Sequence, residues 1–271
     1  ETCCKQVQSF FQGATLAAFC KHDTELRINA PLQDRTPFLK FNGRRVYTRF
    51  PPIPMSAVKA VRNKVACTVN DVIMAALTGA MRRYGAEIAG DPLLKDDGPE
   101  DIEFKSMFMI ALPRPLKEDS LADSLANNIL FASCGLPIGT SSANGRLEKT
   151  IETFNSLKSK AFIGGLASLT NFVKGVAPSS LMRKIAAETF SKHTLLVTNV
   201  PATSVPLTVP DMPGGQAVQE MQMVFPNAVT QVSIISYNGQ VFANIVADPA
   251  FIEKPEVLGK YFVEEFAVLA R

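Results

Sequence analysis

Apolar positions along the chain recur first at a helical spacing. Val58, Val61 and Val65 lie three and four residues apart, and the same spacing resumes at Val69 and continues to Tyr84. Each series places its apolar side chains on one helical face, so the two segments predict consecutive helices that pack against a core. Further helices are predicted where this spacing returns, over residues 142–161 and 179–192 and from residue 255 onward.

Shorter and more continuous apolar runs lie between these helices. Phe104–Leu112 and Asn128–Cys134 have strand length and almost no polar interruption, which is typical of strands buried on two faces. Similar runs fill the last third of the chain, at residues 194–200, 218–225, 229–237 and 240–248. Asn238 and Gly239 join the last two runs. Because both residues tolerate the positive φ of a type I′ turn, they predict a β-hairpin.

The remaining segments are polar or rich in proline. Residues 28–54 suit a chain that crosses between structural units, and we expect one or two short strands in them. Residues 91–103 hold six acids and one lysine, and because like charges resist burial they predict a solvated loop. We therefore predict a connector with an N-terminal helical segment over residues 1–53 and one folded unit over residues 54–271.

Composition narrows the class of protein. The 271 residues are 46% apolar, which is enough for an extensive core. The 28 basic and 25 acidic side chains leave a net charge of +3, which is too balanced for a dedicated nucleic-acid binder. The five cysteines are scattered without paired CxxC spacing, so we expect reduced thiols in a cytoplasmic protein and no metal site. No uncharged run has the length of a membrane-spanning helix.

The sequence contains few groups for acid–base or nucleophilic chemistry. His22 and His193 are its two histidines, neither has a second histidine nearby, and no GxSxG sequence marks a nucleophilic serine. Glycine loops of the GxxxxGK and dinucleotide-binding types are also missing. We therefore expect both histidines to be structural or exposed, and we expect no nucleotide cofactor.

The helix that starts near residue 69 begins with two polar residues side by side, Asn70 and Asp71. Thr68 as the N-cap and Asp71 three residues later form the pattern of a capping box, which explains Asp71 without any function. Asn70 is not explained in this way, because asparagine inside the first turn is neither a favoured cap nor a good helix former. A functional role for the pair therefore remains an alternative to capping.

The segment from Ala161 to Lys192 combines apolar residues with more basic than acidic side chains. Such a composition suits a helix pair at an anionic membrane surface or along an acyl-chain channel. Ordinary core helices are the alternative interpretation.

Five segments, in order along the chain, resemble the wax ester synthase/diacylglycerol acyltransferase (WS/DGAT) family. VNDVIMAALTGAMRRY at 69–84 is similar to the family's Asn-Asp helix, and TNVPAT at 198–203 is similar to its TNVPGP segment. The other three are INAPLQDR at 28–35, similar to a family connector, IALPRPLKEDSLADSLANNI at 110–129, similar to an arginine-proline strand end leading to an asparagine-bearing strand, and VSIISYNGQVFANIVAD at 232–248, similar to the closing hairpin.

The resemblance implies a fold class and a part of a larger enzyme. The family's fold is that of the coenzyme A-dependent acyltransferases, in which two α/β lobes enclose the active site. This chain is similar to the C-terminal lobe, an α+β two-layer sandwich whose mixed β-sheet is covered by helices. The family's HHxxxDG motif belongs to the N-terminal lobe, which we expect to be absent from this chain. Because an alcohol is a poor nucleophile without a positioned base, we expect the chain alone to be inactive.

The resemblance also implies the substrates. The family transfers a fatty acyl group from acyl-CoA, its co-substrate, to diacylglycerol or a long-chain alcohol, without a further cofactor. The expected partners are these molecules and the N-terminal lobe, with peripheral contact to the endoplasmic reticulum membrane or a lipid droplet, and no nucleic acid. Two alternatives stay open: a non-catalytic lipid or acyl-CoA binding module, and a condensation-type acyltransferase with another acceptor.

Five residues are predicted to lie in the site because they match motif positions of the family. Asn70 and Asp71 match the Asn-Asp motif and are expected to support catalysis. Arg114 matches the arginine-proline position, where it contacts CoA or ties down a strand end. Asn128 and Asn199 match asparagines of two strand motifs and are expected to bind substrate. For Asn199, a buried and hydrogen-bonded side chain without ligand contact is the alternative. Asn127 before Asn128, and Ala202 and Thr203 after the TNVP sequence, depart from the family pattern, which leaves the local backbone geometry open.

Overall fold

The apolar strands assemble into one mixed sheet. The computed structural model describes residues 2–19, 23–28, 44–112, 129–209, 216–225 and 229–271. Within them the sheet consists of β1 (Val46–Arg49), β2 (Ile53–Pro54), β3 (Phe104–Ala111), β4 (Ile129–Leu136), β5 (Leu195–Pro201), β6 (Thr230–Tyr237) and β7 (Gln240–Ala247). The order across the sheet is β1-β7-β6-β5-β3-β4, and β2 also pairs with β7. β5 runs parallel to β3 and β6, and the other neighbours are antiparallel.

Helices pack on this sheet. They are α1 (Thr2–Phe19), α2 (Met55–Val65), α3 (Val69–Arg83), α4 (Ala143–Leu157), α5 (Lys160–Val176), α6 (Ser179–Ser191) and α7 (Pro255–Leu269). A π-helical turn, Tyr84–Ile88, extends α3, and a short 3₁₀ turn, Pro92–Leu94, lies in the acidic loop. None of the single helices in the described segments has the length and hydropathy of a membrane span, although α2 and the extended α3, bent by 101°, meet both criteria together.

α3 is the central helix of the core. Every side chain from Val72 to Leu77 is at most 1% exposed, which is far more burial than a one-sided amphipathic helix has. α4 and α7 pack on two of its sides, and strand residues such as Val197 and Val232 belong to the same apolar cluster. The start of α3 is therefore fixed by packing along the whole length of the helix.

Most elements predicted from periodicity are present. The helices over residues 58–65, 69–84, 179–192 and from residue 255 onward are confirmed, as are the buried strands β3 and β4 and the strands of the connector. The predicted hairpin is β6–β7, where Asn238 and Gly239 adopt φ values of 45° and 73°. These are the left-handed conformations that a type I′ turn requires at both positions. The mixed sheet with helices on it confirms the predicted fold class.

Two predictions were wrong. The single helix predicted over residues 142–161 is broken, because Ser159 caps a new helix by accepting a hydrogen bond from the Phe162 N–H at 3.1 Å. The strand predicted over residues 218–225 does not join the sheet. Instead this segment lies against β7, where Asn244 Nδ2 donates to the Gln222 side chain at 2.6 Å and to the Met223 carbonyl at 2.9 Å. Alternating polarity fits any extended segment with one covered face, so it did not distinguish this segment from a strand.

Candidate functional site

The start of α3 is closed by the predicted capping box. The Asp71 N–H donates to Thr68 Oγ1 at 3.3 Å, and the Thr68 N–H donates to Asp71 Oδ2 at 2.7 Å. Asp71 is 1% exposed, so its carboxylate is held inside the protein rather than presented to solvent. The reciprocal bonds satisfy donors that the helix itself leaves unpaired.

The other carboxylate oxygen of Asp71 binds a second element. Lys158, the C-cap of α4, places its Nζ 3.0 Å from Asp71 Oδ1 and 3.1 Å from Thr68 Oγ1. Both oxygens of Asp71 are thus engaged, one in capping α3 and the other in joining the start of α3 to the end of α4. This geometry gives Asp71 a structural role directly beneath the surface that Asn70 occupies.

Asn70 and Asn199, which the sequence placed in separate motifs, are hydrogen-bonded to each other. Asn199 lies near the end of β5 and donates from Nδ2 to Asn70 Oδ1. Asn199 Oδ1 is buried and has no hydrogen-bond partner among the described residues. A buried amide oxygen without a partner is rare in folded proteins, so this position is a candidate for contact with a bound molecule.

A cavity of about 630 Å³ opens above this pair. Its walls are α2, the first turn of α3, the end of α4, the segment after β5 and the β6–β7 turn, so that five parts of the chain meet there. Asn70 and Asn199 both line the cavity, whereas Asp71 does not. The volume lies within the range of small-molecule binding sites.

The cavity carries positive charge. Lys59 and Arg62 on α2 and Lys158 on α4 line it, and no Asp or Glu is found among the described residues of its wall. The N-terminus of α3 faces the same space and adds the positive end of its dipole. The arrangement is therefore suited to an anionic group such as a phosphate.

These three cations were not predicted from the sequence. Lys59 and Arg62 are three residues apart and so share one face of α2, which is a weak sequence feature because most such pairs are merely solvated. Lys158 reaches the site only through the packing of α4 against α3, and no local pattern predicts that contact.

The described residues of the cavity wall include no His, Asp or Glu side chain that could act as a general base. Burial, and secondarily the charge of Asp71, raises the pKa of the Cys67 thiol, which lines the cavity and therefore stays neutral. The described part of the chain also holds no cluster of three or more His, Cys, Asp or Glu side chains that could bind a metal ion.

His193 is buried elsewhere and is neutral. Its Nδ1 lies 2.7 Å from the Thr189 carbonyl oxygen, which only accepts, so Nδ1 carries the proton and Nε2 accepts from the Ser133 hydroxyl at 2.7 Å. Burial lowers the pKa of His193 to about 4. His193 does not line the cavity, in agreement with the structural role expected for it.

Three residues for which predictions were made from the sequence lie outside the described residues. They are His22, Arg114 and Asn128, and the roles of Arg114 and Asn128 in substrate binding stay predictions.

The family of the chain follows from its sequence. The family model of the WS/DGAT C-terminal domain matches residues 125–270, which is more than half of the chain. The chain belongs to the WS/DGAT family. The match covers the part that contains β4–β7 and α4–α7, and therefore Lys158 and Asn199 of the cavity wall. A comparison with curated proteins finds no match.

Solved structures with the same fold extend the likeness beyond residues 125–270 to most of the chain. The wax ester synthase/diacylglycerol acyltransferase from Marinobacter aquaeolei VT8 is 17% identical and has a TM-score of 0.61, with 97% of this chain and 55% of that chain covered. The trichothecene 15-O-acetyltransferase from Fusarium sporotrichioides is 16% identical, with a TM-score of 0.55 and coverage of 84% and 47%.

A third likeness is to the starter condensation domain of rhizomide synthetase. It was solved in complex with C8-CoA and Leu-SNAC and is 12% identical, with a TM-score of 0.51 and coverage of 99% of this chain and 53% of that chain. Identities this low establish the fold alone. The chain spans about half the length of the solved structures that it matches.

Proposed function

We propose that this WS/DGAT domain is the C-terminal half of an O-acyltransferase that moves a fatty acyl group from acyl-CoA to diacylglycerol or a long-chain alcohol. Family membership supports acyl transfer as the reaction class, and the Marinobacter neighbour is named a wax ester synthase/diacylglycerol acyltransferase. The complex of the rhizomide synthetase domain with C8-CoA supports a coenzyme A thioester as the donor.

The observation that carries the proposal is the cationic cavity at the start of α3. Coenzyme A is polyanionic, and Lys59 and Arg62 offer two cations to its phosphates in a cavity wall without described acids, beside Lys158, which is paired with Asp71. The dipole of α3 acts in the same direction. A free alcohol or a neutral lipid carries no negative charge that these cations could bind.

Asn70 is proposed to position the thioester. Its Oδ1 already accepts a hydrogen bond from Asn199, so the Nδ2 hydrogens of Asn70 are the part of its amide that remains for a bound molecule. An amide N–H aimed at a thioester carbonyl stabilises the negative charge that develops on that oxygen during attack. Asn199 then acts by fixing the orientation of Asn70.

The base is proposed to come from the preceding lobe. Attack by a hydroxyl on a thioester needs a general base that typically contributes about 10² to 10⁴ in rate, and the described cavity wall has none. In the family the HHxxxDG motif of the N-terminal lobe supplies it. His193 is excluded by its burial and by its bonds to Ser133 and Thr189.

Binding of acyl-CoA to this chain tests the donor site. Isothermal titration with a long-chain acyl-CoA is expected to show binding that the Lys59→Gln/Arg62→Gln variant weakens by about tenfold or more. The matched control is Lys254→Gln/Lys260→Gln, which removes the same charge from the region of α7 and leaves the cavity intact. Equal affinities for both variants would contradict a phosphate-binding role for the cavity.

Acceptor profiling separates the reaction from the two alternatives. A two-lobe protein that contains this chain is incubated with acyl-CoA and with a fatty alcohol, diacylglycerol or an amine. Ester formation with the alcohol or diacylglycerol is expected. Amide formation instead would favour a condensation-type enzyme, and acyl-CoA binding without any product would favour a binding module.

A further inference from the structure

Charge is distributed unevenly along the chain. Residues 153–187 hold five of its 28 Lys and Arg side chains and none of its 25 Asp and Glu side chains. This acid-free stretch contains all of α5 and most of α6. Lys158, at the start of this stretch, lines the cavity and binds Asp71. The other four cations have no role in the candidate site.

Burial decreases along α5. Phe162 and Leu166 near its start are buried, with 2% and 4% of their surfaces exposed. Beyond them, no described side chain between residues 171 and 184 is buried. These residues, the last turn of α5, the Ala177–Pro178 turn and the first turns of α6, are called the α5–α6 tip.

The α5–α6 tip exposes large apolar side chains together. Phe172 and Val176 are 66% and 65% exposed and lie four residues apart on one face of α5, and Leu181 in the first turn of α6 is 46% exposed. Large exposed apolar side chains that fall within one short helix–turn–helix segment, rather than scattered singly, indicate an interaction surface.

The same tip carries cations that are free of ion pairs. Arg183 and Lys184 are exposed, and neither forms a salt bridge or side-chain hydrogen bond with any residue in the described ranges. Glu188, the nearest acid, is paired with Lys192 at 3.5 Å. A tip with apolar side chains and unpaired cations is complementary to a surface that has negative groups on its outside and an apolar layer beneath them.

We propose that the α5–α6 tip docks the chain on an anionic phospholipid membrane. Phe172, Val176 and Leu181 enter the boundary between headgroups and acyl chains, and Arg183 and Lys184 contact the lipid phosphates. Charge complementarity favours this occupant over a protein, because the core of a protein interface is depleted of unpaired charge. The inference is independent of the acyl-transfer chemistry, since no residue of the tip lines the cavity.

Vesicle flotation tests the proposal with the chain itself. The chain is expected to float with vesicles of phosphatidylcholine and phosphatidylserine at low salt and not with vesicles of phosphatidylcholine alone. Because each cation near an anionic surface strengthens binding by about fivefold, Arg183→Gln/Lys184→Gln is expected to weaken partitioning by about 30-fold. Phe172→Ser/Val176→Ser is expected to abolish flotation, and both pairs are exposed enough to leave folding intact.

Two controls remove comparable groups elsewhere. Lys254→Gln/Lys260→Gln has the same change in net charge, and Val205→Ser/Val268→Ser removes exposed valines outside the tip; both are expected to float like the unchanged chain. Failure of the unchanged chain to float would overturn the proposal, as would undiminished flotation of the tip variants. Self-association that only the tip variants lose, measured by sedimentation velocity without vesicle binding, would assign the tip to a second copy instead.

Discussion

At the scale of single residues, the contact that defines the candidate site joins positions 129 residues apart. Sequence motifs identified Asn70 and Asn199 separately, but only β5 packing beside the start of α3 brings their amides together. The hydrogen bond fixes which end of the Asn70 amide faces the cavity. Under the proposed function, Asn199 orients Asn70, and Asn70 contacts the thioester.

This relationship predicts non-additive effects on turnover. In a two-lobe protein that contains this chain, Asn70→Ala is expected to lower kcat by about a hundredfold, as for loss of an oxyanion donor. Asn199→Asp keeps the size of the side chain but removes the donated hydrogen bond, and is expected to lower kcat by about tenfold. The double variant should be no slower than Asn70→Ala alone, because Asn199 acts through Asn70. Multiplied losses in the double variant would mean that the two residues act separately.

Asp71 is expected to affect stability rather than turnover. Asp71→Ala removes the cap and the Lys158 contact, and should lower the free energy of unfolding by about 2 kcal/mol, whereas Asp71→Asn should cost about 1 kcal/mol. Lys158→Met should cost less than about 1 kcal/mol, since 39% of its side chain is exposed. Urea unfolding measures these differences. A large loss of kcat in Asp71→Asn at unchanged stability would instead indicate that Asp71 takes part in catalysis.

The burial of His193 predicts a pH dependence of stability. Its pKa is lowered from 6.5 to about 4 by burial, so below pH 6.5 the unfolded chain binds a proton that the folded chain does not. The contribution of neutral His193 to the free energy of unfolding is fully present above pH 6.5. It is lost as the pH falls towards 4, and the total loss is about 3 kcal/mol. His193→Gln does not titrate, so the stability difference between the two proteins should shrink across this range in urea unfolding. A constant difference would show that His193 titrates normally.

At the scale of elements, a glycine in α3 determines how closely three helices approach. Arg146 on α4 and Glu265 on α7 form a buried ion pair against Gly79. A Cβ at this position would collide with Glu265 Oε2 and lie 2.8 Å from Arg146 Nη2. An alanine in the middle of α3 would therefore force the ends of this ion pair, which joins α4 to α7, to shift.

Gly79→Ala is expected to destabilise the protein by about 3 kcal/mol, although alanine is the better helix former, because it displaces a buried ion pair. Gly164→Ala in α5 is the matched control. No atom lies within 4 Å of a Cβ built there, so alanine should stabilise by about 0.5 to 1 kcal/mol through helix propensity. Thermal unfolding of the two variants measures both effects, and the same sign of change in both would contradict the packing argument.

Elements were predictable from sequence where local chemistry decides them. The Asn238–Gly239 turn and the Thr68–Asp71 cap require particular residue types at fixed positions, and both were identified from the sequence. The segment 218–225 failed because pairing in a sheet depends on a partner strand that no local pattern specifies. The cavity was missed for the same reason, since its cations come from α2 and α4 and converge only through tertiary packing.

At the scale of the whole molecule, the most deeply buried helix and the exposed cations of the α5–α6 tip lie in different regions. α3 is buried from Asp71 to Arg82 and joined to α4 and α7, whereas the α5–α6 tip has no buried described side chain and exposes its cations. Local opening requires little loss of packing at the tip, but opening of α3 requires loss of the core. The molecule thus combines a rigid centre beside the cavity with a loosely held, cationic end.

Hydrogen exchange should reveal this gradient. Amides of α3 are expected to exchange only through global unfolding, at least about a thousandfold more slowly than amides of residues 171–184, which open locally. Addition of vesicles containing phosphatidylserine should slow exchange at residues 171–184 and leave α3 unchanged, because docking covers the tip and not the core. Phosphatidylcholine vesicles serve as the control and should change neither region. Equal protection of the two regions before lipid is added would contradict the local-opening argument, and protection by lipid that appears elsewhere would place the membrane contact on another face.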